Sequence, residues 1–315
     1  MIALGIDTSN YATSAALYDS EKGAVLAAEK RMLPVREGAL GLRQSDAVFA
    51  HVKQLPDVLR ELFEQAGPLP GKLGAVGVST RPRPVAGSYM PCFLAGRAPA
   101  VCAASALGVP LVETTHQQGH VMAALYGAGF ARERDKSFFA FHVSGGTTDA
   151  LACRLAGKQL AVEQRATSLD LFAGQAVDRV GGMLGFAFPS GAEVSRLAAS
   201  SHSNAFLKPV LKGGDCCLSG LENKCRSMLE RGEAPCDVAR YCLLSVGETI
   251  AAMAERLCAT SPDDDLVFAG GVLSSDVIRA QLARRFSNGY LCEPAWLSAD
   301  NAVGDAILAC RELED

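Results

Sequence analysis

The sequence predicts an α/β protein built from two related domains. Short apolar strands come first, at residues 2–7, 12–19 and 24–31, and helices and strands then alternate. This order is typical of a mixed sheet with helices packed on it. The same strand-turn-strand-strand opening returns near residue 138, which indicates an internal repeat. The chain has 315 residues, 49% of them apolar, which is enough for two domains at roughly 150 residues each.

The elements of each half follow from hydrophobic periodicity and from turn residues. Helical periodicity at 45–66 places Val48, Val52, Leu55, Leu59 and Leu62 on one apolar stripe. The rest of the first half is predicted as strand 74–79, helix 88–107 and strand 110–113. The second half is predicted as strands 138–143, 148–154 and 158–165, helices 170–184 and 190–200, a helix at 236–259, strand 266–269, a helix at 274–287 and a final helix from Asn301 to Arg311. The predicted domains are 1–115 plus 296–315, and 116–295 with an irregular insert near 203–224.

Composition limits the classes of function. The 30 Lys and Arg residues against 34 Asp and Glu give a net charge of −4, so a basic surface for nucleic acid cannot cover the whole molecule. Any RNA contact is therefore local or supplied by a partner. Eleven cysteines without a C-x-x-C spacing predict reduced thiols in a cytoplasmic protein. No run of about 18 apolar residues and no signal-type N-terminus is present, so we expect neither a membrane span nor export.

Three loops of small residues each follow an apolar strand. They lie at 7–10, at 144–148 and at Gly270-Gly271. Exposed backbone N–H groups in such turns bind anions. Two of these loops belong to the repeated units, so we expect a cleft between two related domains that holds a nucleotide.

A pair of histidines in T-T-H-Q-Q-G-H (114–120) is the sharpest chemical signal. His116 and His120 are four residues apart, which places both imidazoles on one face of a helix. Thr115 and Gln118 match a capping box at its start. The spacing favours a transition-metal site, and the alternative is a helix that carries two surface or core histidines.

The remaining ligands and the zinc-protease alternative depend on neighbouring residues. A zinc protease needs a glutamate after the first histidine as general base, and Gln117 stands there. A carboxylate is the usual third ligand, and Asp300, before the last helix, is the candidate; an Asp there is also a common helix cap. His142 lies in an apolar strand and is expected to be a core histidine rather than a ligand.

Eight short motifs follow one another along the chain. They are G-I-D-T-S at 5–9, the histidine helix at 116–120, V-S-G-G-T-T at 143–148, A-G-Q-A-V-D-R at 173–179, F-P-S-G at 188–191, L-S-G-L-E at 218–222, A-G-G-V at 269–272 and A-D-N-A at 299–302. Taken in order, these motifs resemble the TsaD-type transferases that form threonylcarbamoyladenosine in tRNA, formerly known as O-sialoglycoprotein endopeptidases. The resemblance covers nearly the whole chain.

The resemblance implies a duplicated actin/Hsp70/sugar-kinase fold and a specific chemistry. One divalent metal, iron or zinc, would bind at His116, His120 and Asp300. An adenylate, threonylcarbamoyl-AMP or ATP, would bind in a second set of residues, and the exocyclic amine of an adenosine beside the tRNA anticodon would take the acyl group. Partners would be tRNA and other subunits of a threonylcarbamoylation complex. The predicted nucleotide-binding residues are His142, Val143, Ser144, Gly145, Gly146, Asp178, Gly191, Gly270, Gly271, Ser275, Asp7 and Ser9; the catalytic residues are not assigned.

The chain departs from the family pattern around the nucleotide and the acceptor. The A-G-P-G loop of the family is replaced by residues 80–84, and Thr147, Gln175, Glu222 and Ser275 stand where the family has histidine, glutamate, lysine and asparagine. The sequence therefore leaves three hypotheses open. They are the tRNA-modifying acyltransferase, a carbamoyltransferase with the same metal and another acceptor, and a nucleotide-binding subunit without catalysis.

Overall fold

The computed structural model of this chain describes residues 1–9, 11–34, 42–130, 133, 135–294, 296–297 and 302–313. Asn10, Asp300 and Asn301, which the sequence analysis singled out, lie outside the described residues. The chain divides into two compact units. The first comprises residues 1–136, 155–161 and 300–315, and the second comprises residues 137–154 and 162–299.

The strands fall where the apolar runs predict them, with a few additions. Their bounds are β1 (Ile2–Ser9), β2 (Ala12–Asp19), β3 (Ala24–Met32), β4 (Leu73–Ser79), β5 (Leu111–Thr114), β6 (Asp135–Val143), β7 (Thr148–Ala156), β8 (Gln159–Ala166), β9 (Val210–Lys212), β10 (Asp215–Cys217), β11 (Asp265–Ala269) and β12 (Gly289–Leu291). Sequence analysis did not predict the last of these, β12, or the short strands β9 and β10.

Most helices lie where the sequence predicts them, although the helix predicted at 88–107 begins at Phe93 and the helix Ser219–Glu230 was not predicted. Their bounds are α1 (Gln44–Ala66), α2 (Phe93–Leu107), α3 (His116–Gly127), α4 (Ala173–Met183), α5 (Gly191–Ala198), α6 (Ser219–Glu230), α7 (Pro235–Cys258), α8 (Asp276–Arg285) and α9 (Ala302–Leu313). A short 3-10 helix at Gly271–Ser274 precedes α8.

The two sheets confirm the internal repeat. Among the described residues, the first sheet has the order β3-β2-β1-β4-β5 and the second has the order β8-β7-β6-β11-β12, so each unit uses its strands in the same sequence. In the first sheet β1 pairs with β2 antiparallel and with β4 parallel. The mixed sheet expected from the sequence is therefore present in this unit.

Helices pack on both faces of the first sheet because the side chains of β1 alternate between them. Leu4 and Ile6 pack in the core that α1 and α2 share with the sheet. Between them, Gly5 leaves room for α9, since a Cβ atom at Gly5 would lie 1.9 Å from the carbonyl oxygen of Ala302. The backbone of α9 thus approaches the sheet more closely than any side chain would allow.

The apolar stripe predicted for α1 is confirmed only in part, since Leu55 and Leu62 are buried as predicted but Val52 is not. Val52 is 57% exposed, whereas His51 and Val58 are buried. The buried face of α1 is centred on His51, whose imidazole Nδ1 lies 2.8 Å from the hydroxyl of Thr13 in β2. A buried polar pair therefore holds this face, which apolar periodicity alone does not reveal.

Helix α3 belongs to the first unit, which corrects the predicted boundary between residues 115 and 116. It packs against α9, and the approach is close because both helices have glycine at the contact. A Cβ atom at Gly304 would lie 1.8 Å from the carbonyl oxygen of Gly119. This contact joins segments 185 positions apart in the chain, so local sequence could not predict it.

The second unit surrounds a large core in which the long helix α7 is buried along much of its length. The region predicted to be an irregular insert contains a hairpin, since β9 pairs antiparallel with β10, and α6 begins at Ser219. Only the stretch before Val210 lacks regular structure, so the prediction for 203–224 was wrong for most of this region.

Two expectations from the sequence concern the cysteines, predicted to be reduced, and a membrane-spanning helix, which was not expected. None of the eleven cysteines, all of which the structure describes, takes part in a disulfide bond. Burial raises the pKa of the Cys216 thiol to about 11, so it is a poor nucleophile at neutral pH. Among the described residues, no helix combines the length and the apolar character needed to cross a lipid bilayer.

Candidate functional sites in the two units

The histidine helix of the first unit begins as the sequence predicts. The Thr115 hydroxyl accepts a hydrogen bond from the Gln118 backbone N–H at 3.2 Å, and the Gln118 side chain accepts one from the Thr115 N–H at 3.2 Å. This reciprocal capping box fixes the first turn of α3. The Gln118 amide group also donates to the carbonyl of Leu160 at 2.9 Å, so a single side chain holds the helix end to the start of β8.

The two histidines lie next to each other on α3. The centroids of their rings are 4.5 Å apart, and the rings are nearly perpendicular. His120 is buried, and His116 is partly exposed. Two imidazoles this close on a capped helix are positioned as ligands for one transition metal.

A buried carboxylate lies beside His116. The Asp7 side chain is completely buried at the end of β1, and its Oδ1 lies 3.3 Å from Nδ1 of His116. The Ser79 hydroxyl at the end of β4 donates to the same carboxylate, and the Ser9 N–H donates to Oδ2 at 2.9 Å. A carboxylate that fixes one ring nitrogen leaves the other available to a metal, an arrangement common in metal sites.

A second layer of polar groups supports this carboxylate. Burial lowers the pKa of His51, and the nearby charge of Asp7 opposes that shift. The Thr13 hydroxyl of β2 contacts His51 of α1 and also donates to Gln54 of the same helix at 3.2 Å. On the other side of the sheet, the Thr114 hydroxyl donates to Asp305 of α9 at 2.5 Å. Both ends of the histidine site are thus tied to neighbouring helices.

The small-residue loop of the second unit follows β6. The Ser144 N–H donates to the Thr147 carbonyl at 2.8 Å, and the two hydroxyls lie 2.8 Å apart. A Cβ atom added at Gly145 or at Gly146 would meet nothing within 4 Å, so the tip of this loop is open. Open backbone amides in a tight turn are a typical phosphate site.

Helix α4 packs directly against this loop. The Gly174 N–H donates to the Ser144 carbonyl at 3.1 Å, and a Cβ atom at Gly174 would lie 2.6 Å from the Cα atom of Gly145. The Ala173 N–H donates to the Thr148 hydroxyl at 2.8 Å. Glycine at 174 is therefore required for the loop to rest on the helix.

Asp178 lies one turn beyond Gly174 on the same face of α4. Its Oδ1 accepts the Ser190 N–H at 2.8 Å, just before α5 begins at Gly191. Burial raises the pKa of Asp178, and the hydrogen bonds from Ser190 oppose this shift. The carboxylate thus joins α4 to the start of α5.

The raised pKa of Asp178 predicts a pH-dependent stability difference. A carboxyl group whose folded pKa lies above its unfolded value contributes most below the unfolded pKa and loses that contribution as the pH rises through the folded value. The melting temperature of Asp178→Asn minus that of wild type should therefore be larger at about pH 7 than at about pH 4, which is close to the unfolded carboxyl pKa. Thermal melts of both proteins across this range test it, and a difference that is constant with pH would contradict the assignment.

The strand end at Gly270-Gly271 contributes to the same region of the second unit. Gly270 has φ of +107°, and a Cβ atom there would lie 2.2 Å from the Val143 carbonyl oxygen, so both backbone conformation and space require glycine. The following 3-10 helix contacts α4. The Ser275 hydroxyl lies 2.9 Å from that of Ser195 in α5.

The structure sorts the predicted residues into two groups. The second unit contains all of the nucleotide residues predicted there, on β6, α4, α5 and the end of β11; His142 is buried in β6, 3.4 Å from the Thr147 hydroxyl. Asp7 and Ser9, predicted to bind nucleotide, belong to the first unit, where Asp7 contacts His116. Sequence analysis missed this contact, together with Ser79 and Ser190, because each partner lies far along the chain. Only the position of Asp7 at the end of an apolar strand signalled its importance.

The fold places the chain in the actin/Hsp70/sugar-kinase class, as expected. Component A of the (R)-2-hydroxyglutaryl-CoA dehydratase of Acidaminococcus fermentans is similar over 99% of this chain and 98% of its own, with a TM-score of 0.58 at 15% identity. A ROK family glucokinase of Streptomyces griseus, solved with glucose and AMPPNP, is similar over 99% of this chain and 100% of its own, with a TM-score of 0.53 at 14% identity. At these identities the likeness concerns the fold alone.

Sequence comparison gives the family. The chain belongs to the tRNA N6-adenosine threonylcarbamoyltransferase family, TsaD, whose model matches residues 39–306. A tRNA N6-adenosine threonylcarbamoyltransferase of Thiobacillus denitrificans is 29% identical over 289 residues, which are 90% of this chain and 81% of that protein. The resemblance inferred from the motifs is therefore confirmed.

Proposed function

We propose that this protein is a cytoplasmic acyltransferase that moves a threonylcarbamoyl group from threonylcarbamoyl-adenylate to the N6 amine of an adenosine next to the anticodon of tRNA. The observation that carries the proposal is the histidine pair on a capped helix beside a buried carboxylate. It occurs in a chain that matches the TsaD family over residues 39–306. A purely structural helix has no need of two imidazoles 4.5 Å apart.

The residues of the first unit fit a divalent metal, iron or zinc. His116 and His120 would be ligands, and Asp7 would hold the His116 ring so that its Nε2 points to the ion. Asp300 is proposed as a third ligand on the family resemblance. When bound, the metal would supply Lewis-acid polarisation of the acyl group.

The residues of the second unit fit the adenylate. The loop at Ser144–Gly146 would bind its phosphate through its open tip at Gly145 and Gly146, since the Ser144 N–H already donates to the Thr147 carbonyl. Asp178 would accept hydrogen bonds from ribose hydroxyls. Gly270 and Gly271 would leave space for the nucleoside, because glycine allows close approach. Asp178 is suited to this role because Ser190 occupies one side of the carboxylate and leaves further acceptor capacity.

The reaction needs a nucleophile and a leaving group held in line. The N6 nitrogen of adenosine forms a bond to the carbamoyl carbon and loses a proton to solvent. The bond between that carbon and the phosphate oxygen breaks, and AMP leaves with the electron pair. The loop amides stabilise the charge on the departing phosphate.

Reconstitution tests this proposal directly. Purified protein would be incubated with threonylcarbamoyl-adenylate and unmodified tRNA, alone and with the other subunits of the host threonylcarbamoylation complex, and the nucleosides would be separated by mass. We expect threonylcarbamoyladenosine to form in at least one of these mixtures. Its absence from all of them, with AMP still released, would favour another acceptor.

Peptidase activity is not expected. A zinc protease needs a general base after the first histidine, and Gln117, which stands there, has no proton-accepting carboxylate and is buried. Incubation of the recombinant wild-type protein with a sialoglycoprotein, with and without added zinc or iron, should therefore give no cleavage. Metal-dependent cleavage by wild type that is lost in His116→Ala would contradict the prediction.

One observation favours a second candidate, a transferase with a different acceptor. Arg179 of α4 pairs with Glu222 of α6 at 2.7 Å, and Glu222 also pairs with Arg226 at 3.0 Å. A glutamate where the family has lysine neutralises this surface. The release of AMP by wild type in the presence of candidate acceptors other than tRNA would distinguish this candidate.

A further inference from the structure

We propose that the extended segment Phe206–Lys212 of the second unit is a contact surface for the RNA acceptor, with a base stacked on Phe206 and phosphates beside Lys208 and Lys212. This inference rests on the proposed function, since it takes RNA as the acceptor. It adds a location that the family match does not give.

Exposure alternates strictly along this segment. Phe206, Lys208, Val210 and Lys212 are exposed, and the residues between them are half-buried. Period-two alternation places these four side chains on one face of an extended chain. The opposite face packs against the core of the unit through Leu207 and Leu211. The outward face therefore presents, in order, an aromatic, a basic, an apolar and a basic side chain.

The segment is held in place by two polar side chains of α7, one of them buried. The Leu207 N–H donates to the hydroxyl of the buried Ser245 at 2.8 Å. The guanidinium of Arg240 donates to the Ser203 carbonyl at 2.7 Å. The backbone is thus anchored on both sides of Ala205, and the Phe206 side chain is 46% exposed. Because this backbone is already fixed, binding a ligand at Phe206 would not incur the entropy cost of ordering it.

Apolar side chains extend the surface beyond Phe206. Val210 is directly opposite Cys217 in the hairpin, and Ser168 bridges Cys216 on the other side of β10. Leu169 follows this bridge, and its N–H donates to the Cys216 carbonyl at 2.9 Å. Val210 is 50% exposed and Leu169 is 51% exposed, so the apolar surface is larger than an isolated exposed side chain.

The charge of this face suits a polyanion. Within the described part of the chain, neither Lys208 nor Lys212 makes an ion pair. Asp215, the cross-strand neighbour of Lys212, instead directs its carboxylate to the Thr167 N–H at 2.8 Å. Aromatic side chains between lysines are typical of single-stranded RNA surfaces, where bases stack and phosphates pair. Because the net charge of −4 excludes a basic surface over the whole molecule, any RNA contact must be local, as this one is.

The hairpin is connected to the proposed adenylate loop within the same unit. The Thr167 hydroxyl donates to the buried Asp149 at 2.7 Å, and Asp149 follows Thr148, which accepts the Ala173 N–H. Two hydrogen bonds, from the Thr167 N–H to Asp215 and from the Thr167 hydroxyl to Asp149, thus connect the hairpin with β7, which directly follows the Ser144–Thr147 turn. RNA bound on the hairpin would be held at a fixed position relative to this turn.

Fluorescence anisotropy with a labelled anticodon stem-loop tests the surface. We expect Phe206→Ala to weaken binding by about tenfold and Phe206→Trp to restore it, because stacking needs only an aromatic face. The double variant Lys208→Ala, Lys212→Ala should lower the slope of log affinity against log salt by about 1 to 2. Matched controls in the first unit, Leu107→Ala and Lys72→Ala, should bind as wild type, and thermal melts confirm that each variant is folded.

Each outcome has a distinct meaning. If wild type binds the stem-loop and both Phe206→Ala and the double lysine variant bind equally well, the surface proposal is wrong and the proposed function is untouched. If Phe206→Trp fails to restore binding, stacking is wrong. If wild type does not bind the stem-loop, alone or with the other subunits of its complex, the RNA surface falls together with RNA as the acceptor.

Discussion

His120→Ala is expected to lose its bound metal, and with it threonylcarbamoyl transfer. The two imidazoles are adjacent on α3, so removing one leaves the site with too few ligands to retain a divalent ion. We expect the metal content per protein molecule to fall at least about tenfold. Changing a residue that only supports a ligand already lowers metal affinity by about tenfold or more, and His120 would be a ligand itself. Elemental analysis of protein purified with iron or zinc in the medium measures it.

A matched histidine variant separates this effect from general loss of histidine. His202 is exposed in the second unit, and His202→Ala should retain wild-type metal content. Asp7→Asn should lie between the two, because the amide still occupies the position beside His116 but carries no charge. Equal metal content in wild type and His120→Ala would show that the histidine pair is not the site.

Gly174→Ala is expected to destabilise the second unit and to weaken adenylate binding together. The new methyl group would lie 2.6 Å from the backbone of Gly145 and from the Ser144 carbonyl oxygen, so the loop must move. Overpacking of this kind costs about 1 to 3 kcal/mol. Thermal melts and titration calorimetry with a threonylcarbamoyl-adenylate mimic measure the two effects.

Two other glycines provide controls for this prediction. Gly182→Ala, in the same helix with open space around its Cα atom, should stabilise the protein by up to about 1 kcal/mol, as alanine does in helices. Gly145→Val extends into open space and should leave the melting temperature unchanged while blocking the phosphate. If Gly174→Ala behaves like Gly182→Ala in both measurements, the loop does not depend on this contact.

The sequence was sufficient where the signal is local. The capping box at Thr115 and Gln118 was predicted because its two partners are three residues apart, and the structure contains both of its hydrogen bonds. The repeated order of strands was visible because each strand is an apolar run bounded by turn residues. Local patterns of this kind specify elements and their ends.

The sequence was insufficient where contacts join distant segments. The assignment of α3 to the first unit depends on Gly119 meeting Gly304, and glycine contacts leave no hydrophobic pattern to detect. The stripe of α1 was predicted only in part because His51 is buried by a hydrogen bond to Thr13, whereas periodicity counts only apolar residues. The contact between Asp7, near the end of β1, and His116, at the start of α3, was missed because the two residues are 109 positions apart in the chain.

The central claim is that this chain modifies adenosine in tRNA through the histidine site. The most direct test is mass analysis of tRNA nucleosides from a strain that lacks the chain. The strain would be complemented with wild type, with the double variant that carries both His116→Ala and His120→Ala, or with His202→Ala. We predict that threonylcarbamoyladenosine is lost in the deletion strain, restored by wild type and by His202→Ala, and not restored by the double histidine variant. Unchanged threonylcarbamoyladenosine in the deletion strain, or its full restoration by the double variant, would contradict the account.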